Sequence, residues 1–279
     1  MVKEGDRPMP QFYQWPMVLN ARGHRHAGIR AASNFDFSRR AMSVPLTVSE
    51  FAEAASDYPI VFSEEGTPVP LAILSHEADR NLFVAEDGSW RVEAYLPLYV
   101  RRYPFIGMEH SGGERALGID ASSGLFVPRA REKRDLRLFD DEEQLTEVGR
   151  FGAALCTAWN EGEKATAAFV EALVETGLLQ AGRIKMKLGD DCTQVVDGFL
   201  VVNEAAFRAL PPATVLRWHT LGWLDLVTFH LAAQRNWTRL AAIGAVPAVE
   251  RDRNYLASRR AGVRHLAAAD PGVLRAAAG

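Results

Sequence analysis

The chain has 279 residues, of which 48% are hydrophobic and 24% charged, with a formal net charge of −3. This is ordinary globular composition, long enough to bury a substantial core without staples, and it carries no global basic field of the kind that attracts nucleic acid. Its two cysteines, Cys156 and Cys192, form neither a CxxC nor a metal-spaced pair, so free thiols in a reducing compartment are expected rather than a disulfide framework.

Residues 1–14 are polar and proline-bearing and read as a loose tail. They lack the apolar run of a signal peptide, and no apolar segment approaches the roughly 18 residues of a membrane span. A soluble, cytoplasmic, bacterial protein without stable membrane insertion is expected. The alternation in SNFDFSRR predicts a short extended piece. In PLTVSEFAEAASDYP, Thr47 and Glu50 have the spacing of a capping box, and Pro59 ends the helix they start. PIVFSEEGTPVPLAIL then reads as a hairpin turning at Gly66, and NLFVAEDGSW as a strand ending in the Asp87-Gly88 turn.

The next segment echoes this one. YLPLYVRRYPFIGMEHSGGERALGID again offers a short helix, a Tyr-Pro, a strand, a glycine turn and a second strand, with Tyr58 and Tyr103 45 residues apart. A duplicated supersecondary unit and a chance recurrence of helix–strand–strand both fit the pattern.

After the charged stretch 129–142, DDEEQLTEVGRFGAALCTAWNEG predicts an amphipathic helix, with acids at the end the helix dipole favours. KATAAFVEALVETG predicts a second helix capped by Gly177. RIKMKLGDDCTQVVDGFLVVN predicts a hairpin turning at Gly189, and Asn203 caps EAAFRAL. From Ala213 to about Ile243 runs the longest helical pattern, bent near Gly222 and apolar on most sides, hence expected to be buried. The tail from Ala248 holds six arginines against three acids and reads as a frayed or disordered end. A third, weakest function reading lets it bind nucleic acid; the first two readings follow the residues that carry them.

Within YVRRYPFIG, Arg101 and Arg102 stand inside an aromatic and aliphatic run. If 95–102 is helical, Tyr95, Tyr99 and Arg102 share a face and Arg101 lies about 100° away, one arginine inward and one outward. The inward one is either a brace, paired with a carboxylate or stacked on a tyrosine or Trp90, or an anion clamp, because a guanidinium fork matches carboxylate and phosphate. His24 and His26 share one face of a strand in the extended reading, but two ligands do not define a metal site, and no metal is assigned. His219 and His230 sit three turns apart on the long helical pattern and cannot share an ion. They read as members of an aromatic stripe, or His230 as the polar contact of a ligand groove. Asp225 on that apolar pattern is either a carboxylate with a raised pKa or the partner of Arg101 or Arg102. Cys192 beside two aspartates is a poor nucleophile. No dinucleotide, phosphate-loop, nucleophile-elbow or HExxH motif is present, and no cofactor is assigned.

AASDYPIVF, NLFVAEDGSW, YLPLYVRRYPF, LGID, TAAFVEALVETGLL, VVNEAAFRALP and LGWLDLVTFHLAA, in this order, resemble the SapC family from about Trp15 to Ile243. Two departures from the family pattern occur: Tyr95-Leu96-Pro97 before the arginines, and Ala121 where an acid usually follows Ile-Asp, which puts a carboxylate pair there in doubt. The family takes its name from a bacterial surface-layer protein export cluster. The resemblance implies a bacterial, envelope-linked protein, and its most distinctive polar residues fall on Arg101, Arg102, Asp120 and His230. These, with Tyr99, are the candidate ligand-binding residues.

An α+β fold is therefore expected, a mainly antiparallel sheet in the N-terminal and middle part packed by C-terminal helices, as a single domain over 15–243 with peripheral tails at 1–14 and 248–279. The leading functional expectation is an accessory or binding protein of unknown biochemical activity, with a protein or glycan partner in an envelope transport or surface-layer system. The alternative is an enzyme or ligand-binding protein whose arginine-lined pocket holds an anionic small molecule, with His230 moving a proton.

Overall fold

The computed structural model describes residues 9–30, 34–91, 93–109, 115–188 and 193–245. Its strands are β1 (Pro16–Val18), β2 (Gly28–Arg30), β3 (Ser43–Pro45), β4 (Ile60–Ser63), β5 (Pro70–Ile73), β6 (Phe105–Glu109), β7 (Arg115–Asp120), β8 (Phe126–Val127), β9 (Asp135–Arg137), β10 (Leu179–Lys187) and β11 (Thr193–Val202). Its α-helices are α1 (Phe51–Ala54), α2 (Leu98–Arg101), α3 (Glu147–Glu175), α4 (Glu204–Arg208), α5 (Pro212–Thr220), α6 (Trp223–Ala233) and α7 (Asn236–Ala245). The class is α+β, with antiparallel sheets and C-terminal helices.

Two compact units form. The first takes Met1–Ser33, Val44–Glu50 and Pro97–Gly177; the second takes Asn34–Ser43, Phe51–Leu96 and Leu178–Gly279. The division is not at the charged stretch 129–142, because each unit is assembled from separated segments of chain.

In the first unit β1, β7 and β6 form one antiparallel sheet and β8, β2 and β9 another. Leu19, Ile29, Phe105, Ile119 and Leu138 make its apolar core. The two helices expected between 143 and 177 are one, α3, because nothing between Trp159 and Ala165 breaks the pattern. Gly162 stays helical and lets α3 approach Thr47, whose side chain would lie 2.7 Å from an added Cβ. Gly152 does the same against the Phe105 ring, also at 2.7 Å. Thr146 caps α3 through Gly149 N–H. The Glu50 half of the capping box is as expected: Glu50 accepts from the Thr47 N–H at 2.9 Å, and its other oxygen takes the Leu98 N–H at 2.6 Å, while the Thr47 hydroxyl donates to the Glu50 carboxylate and the Glu50 N–H goes to the Thr47 carbonyl.

In the second unit β10, β11, β4 and β5 lie in sequence across one antiparallel sheet. Gly66 turns the β4–β5 hairpin with a φ of +68°, a conformation that favours glycine. The strand expected at NLFVAEDGSW is only a turn closed by a single Val84–Trp90 bridge. Residues 34–40 of SNFDFSRR are not extended. Asp36–Ser38 is a 3-10 turn, stabilised by the Asn34 side chain accepting the Asp36 N–H and by the Asp36–Arg39 ion pair. The long helical pattern is cut into α5, α6 and α7, with Gly222 at φ +73° between the first two. Asn203 caps α4 as expected. The turn around Gly189 with Cys192, and the tail from residue 246, lie outside the described residues.

The sequence echo has a structural counterpart. In each unit the echoed stretch gives a short helix, a Tyr-Pro and an antiparallel hairpin. The Pro59 carbonyl accepts from Ile73 N–H at 3.0 Å in one, and the Pro104 carbonyl from Asp120 N–H at 2.9 Å in the other.

Candidate functional site

Helix α2 is a single turn, so Tyr95 precedes it rather than sharing its face, and Pro97 starts it. One turn still suffices to send the two arginines apart: Arg101 is exposed, whereas Arg102 is 4% exposed. The Arg102 guanidinium carbon lies 4.6 Å from the ring centre of Trp159, 4.7 Å from Tyr99 and 5.4 Å from Tyr13. Trp90, one partner considered from the sequence, packs instead on Phe83 in the second unit.

The box draws on three separated segments of the first unit. Tyr99 and Arg102 come from α2 and its end, Trp159 from α3, and Tyr13 from the chain before β1. No carboxylate among the described residues forms a salt bridge with Arg102, and its Nε is buried without a hydrogen-bond partner. An arginine in this state is held by ring quadrupoles while one of its five donors, Nε, stays unused. The surrounding groups carry its imprint. Burial pushes the Tyr99 phenol up while the guanidinium pulls it back, and the same two effects act on Tyr13. Burial pushes the Cys156 thiol up to about 11 against the arginine's pull.

Residues 9–15, the described part of the chain before β1, are not loose. Tyr99 Oη donates to the Gln11 carbonyl at 3.0 Å and Tyr13 Oη to the Phe105 carbonyl at 2.6 Å. Phe12 packs on Tyr99 and Tyr103. Asp120, fully buried at the end of β7, holds the segment's far end. One of its oxygens accepts from Trp15 N–H at 2.9 Å and from Ser122, the other from Gln14 N–H at 3.1 Å and Tyr103 Oη at 3.2 Å. Burial alone raises its pKa, but the donors of Ser122, Trp15 and Gln14 outweigh that and hold it low. Asp120 therefore acts here as an anchor that keeps the N-terminal segment over Arg102. Tyr13 and Trp159 were not among the residues singled out from the sequence. The aromatic density of QFYQW was the available signal for the first.

His230 belongs to the second unit. It is fully buried beside Phe62, with ring centres 5.2 Å apart. Its Nε2 accepts the Val202 N–H at 3.1 Å, so Nδ1 carries the proton, and that buried donor has no partner. Burial lowers its pKa to about 4, which keeps the ring neutral. Asp225 is exposed, so it is not a buried carboxylate. His219 is exposed as well, and His24 and His26 stand in a turn rather than on a strand. Among the described residues no three His, Cys, Asp or Glu side chains gather as a metal site requires.

Two further features belong to the second unit. A cavity of about 290 Å³ is lined by His76, Glu77, Leu188 and Gln194. Gln194 Nε2 donates to the His76 carbonyl, which turns Oε1 toward the ring, so His76 Nδ1 carries the proton and Nε2 is a bare lone pair. That lone pair is closed off by Gly244, where an added Cβ would stand 2.2 Å from it. The second feature is α5, expected to be buried but anchored mainly through Trp218, which packs edge-on against Trp223. Val215, Leu216 and Leu221 are left 37%, 69% and 49% exposed.

No helix among the described residues is long and apolar enough to cross a membrane. No curated protein and no solved structure matches the chain. The SapC family model matches residues 19–240, most of the chain, including all of α2, α3, α5 and α6 and all five candidate positions; the chain belongs to the SapC family.

Proposed function

We propose that this chain is an accessory, binding protein that works with a bacterial envelope transport or surface-layer system, and that it recognises a protein partner through the apolar face around α5. The observation that carries the reading is the exposure of Leu216 and Leu221 with Val215 on a helix held to its unit mainly by one tryptophan. Large apolar side chains left exposed on and beside one short helix are what a partner surface would cover. The envelope link rests on family membership and on the export cluster from which the family is named. The reading is tested by pull-down from a bacterial host that carries the protein, with wild type beside Leu216→Glu/Leu221→Glu. A partner retained by wild type and lost by the folded double variant supports it. A partner retained equally by both, or none enriched over a mock bait, removes it.

A second reading, that the protein holds an anionic group at Arg102, is favoured by the unused Nε edge between aromatic faces. Guanidinium edges of this kind match the paired oxygens of carboxylate and phosphate. The two readings are compatible, since a partner and an anionic ligand use different residues.

A further inference from the structure

We infer that Gln11–Trp15 is a latch over an oxoanion site at Arg102, and that binding of a carboxylate or phosphate lifts it. The inference rests on the second reading above and adds the covering segment and its release.

Three observations on different atoms carry it. The Tyr13 ring, on the segment, lies over the guanidinium, while the Tyr99 and Trp159 rings belong to α2 and α3. Beneath this cover Arg102 Nε is buried and unpartnered, a state that favours any arrangement bringing an acceptor to it. Next to Tyr13, Phe12 has a φ of +79°, a left-handed conformation that a bulky side chain rarely adopts and that surroundings must impose. The closed segment thus combines a strained backbone with an unsatisfied cation.

The ties that hold it down include the Tyr99–Gln11 and Tyr13–Phe105 hydrogen bonds, the two backbone donors taken by Asp120, the Ala121 N–H donated to the Trp15 carbonyl, and the packing of the Phe12 and Tyr13 rings on Tyr99 and Tyr103. When these release, the Nε edge gains access to a two-oxygen acceptor, and Tyr99 and Trp159 remain as its flanking walls. Carboxylate and phosphate share the chemistry that this edge reads, two oxygens presented side by side.

Amide hydrogen exchange at Gln14 and Trp15 reports the latch, because both N–H groups are bonded to Asp120 when it is closed. Exchange is measured in sodium chloride, sodium acetate and sodium phosphate at matched ionic strength, so that screening is constant. Binding is followed in parallel by the shift in melting temperature. The expected result is exchange at these two amides faster by about tenfold in acetate, phosphate or both than in chloride, with no change in Arg102→Met. Tyr13→Phe keeps the ring but removes its hydrogen bond to Phe105. It is expected to exchange faster at both amides without any anion and to bind the anion a few times more tightly. Arg102-dependent anion binding with unchanged exchange at Gln14 and Trp15 overturns the latch and leaves the anion site standing. No Arg102-dependent binding of either anion overturns both. A response in acetate alone or in phosphate alone supports the latch and names the source of the anion.

Discussion

Replacing Arg102 by methionine separates a brace from a binding group, because the two roles predict different stabilities. Three ring faces stand 4.6, 4.7 and 5.4 Å from the guanidinium carbon. Each such contact contributes about 0.5–1 kcal/mol when exposed and about 2 when desolvated, so together they supply roughly 2–5 kcal/mol. Against this stand the desolvation of a buried cation, several kcal/mol, and a buried Nε without an acceptor, about 1–3 kcal/mol. Methionine fills much of the same volume and makes sulfur–aromatic contacts of about 0.3–1.5 kcal/mol with the same rings. The terms offset, so Arg102→Met is expected to change stability by no more than about 2 kcal/mol in either direction. At about 2–4 °C per kcal/mol for a chain of this size, the melting temperature moves by less than about 8 °C. Arg102→Ala empties the box and is expected to cost about 3–5 kcal/mol. The assay is thermal unfolding followed by tryptophan fluorescence and circular dichroism, with and without phosphate. An anion present at ten times its Kd raises wild-type stability by about 1.4 kcal/mol and leaves Arg102→Met unchanged. If methionine destabilises as much as alanine, the positive charge itself holds the box together. Arg102 is then a brace, and the anion site is withdrawn.

Asp120→Asn replaces one accepting oxygen with a donor facing backbone or hydroxyl donors and is expected to cost about 2–4 kcal/mol, with faster exchange at Gln14 and Trp15; an unchanged melting temperature removes its anchoring role. Its lowered pKa places its contribution above the unfolded carboxylate range, full near neutrality and lost as the pH falls below about 4, so the low-pH limb of the stability curve should flatten in the asparagine variant. His230 acts in a higher window. Its pKa falls from 6.5 unfolded to about 4 folded, so its stabilising effect is full above about pH 6.5 and declines as the pH drops toward 4, about 2 kcal/mol of it gone at pH 5. In His230→Gln, which keeps an acceptor for Val202 N–H, stability should change less between pH 7.5 and 5 than in wild type. Gly162→Ala gains about 1 kcal/mol of helix propensity but drives a methyl group into Thr47, and the net is expected to be a loss of about 1–2 kcal/mol by denaturant melt. Cys156, with its thiol near 11 and buried, should resist thiol reagents in the folded protein and label on unfolding, as peptide mass mapping reads directly.

What was legible in the sequence follows how local each cause is. The Glu50-to-Thr47 half of the capping box, the Asn203 cap and the glycine turn at Gly66 depend on residues within a few positions of one another, and each forms as expected. The opposite orientation of Arg101 and Arg102 needed only the angular step of one helical turn. The single α3 was misread because Gly162 looks like a break in sequence, whereas its lack of a side chain serves the approach to Thr47, 115 positions away. The burial of the 213–243 pattern was misread for a related reason. Apolar content marks a helix as able to be buried, but whether it is depends on which elements reach it, and α5 is reached chiefly through Trp218.

The site shows the same limit at closer range. Arg102 was recognisable because a charge in an apolar run is costly wherever it folds. Its ring partners were not, since Tyr13 and Trp159 stand 89 and 57 positions from it and no local pattern joins them. Asp120 was singled out as a ligand contact, and its five donors show a different use: a carboxylate already saturated by Gln14, Trp15, Tyr103 and Ser122 has little capacity left for a ligand. That same saturation makes it an effective tie for the segment above Arg102. The hairpin echo adds a reason for the asymmetry between the units. At the position where the second unit's hairpin has Ile73 donating to Pro59, the first has Asp120 donating to Pro104. An apolar hairpin end in one unit is thus a carboxylate in the other, placed where its side chain meets the incoming N-terminal chain. The carboxylate at this strand end makes it the anchor of the segment above Arg102.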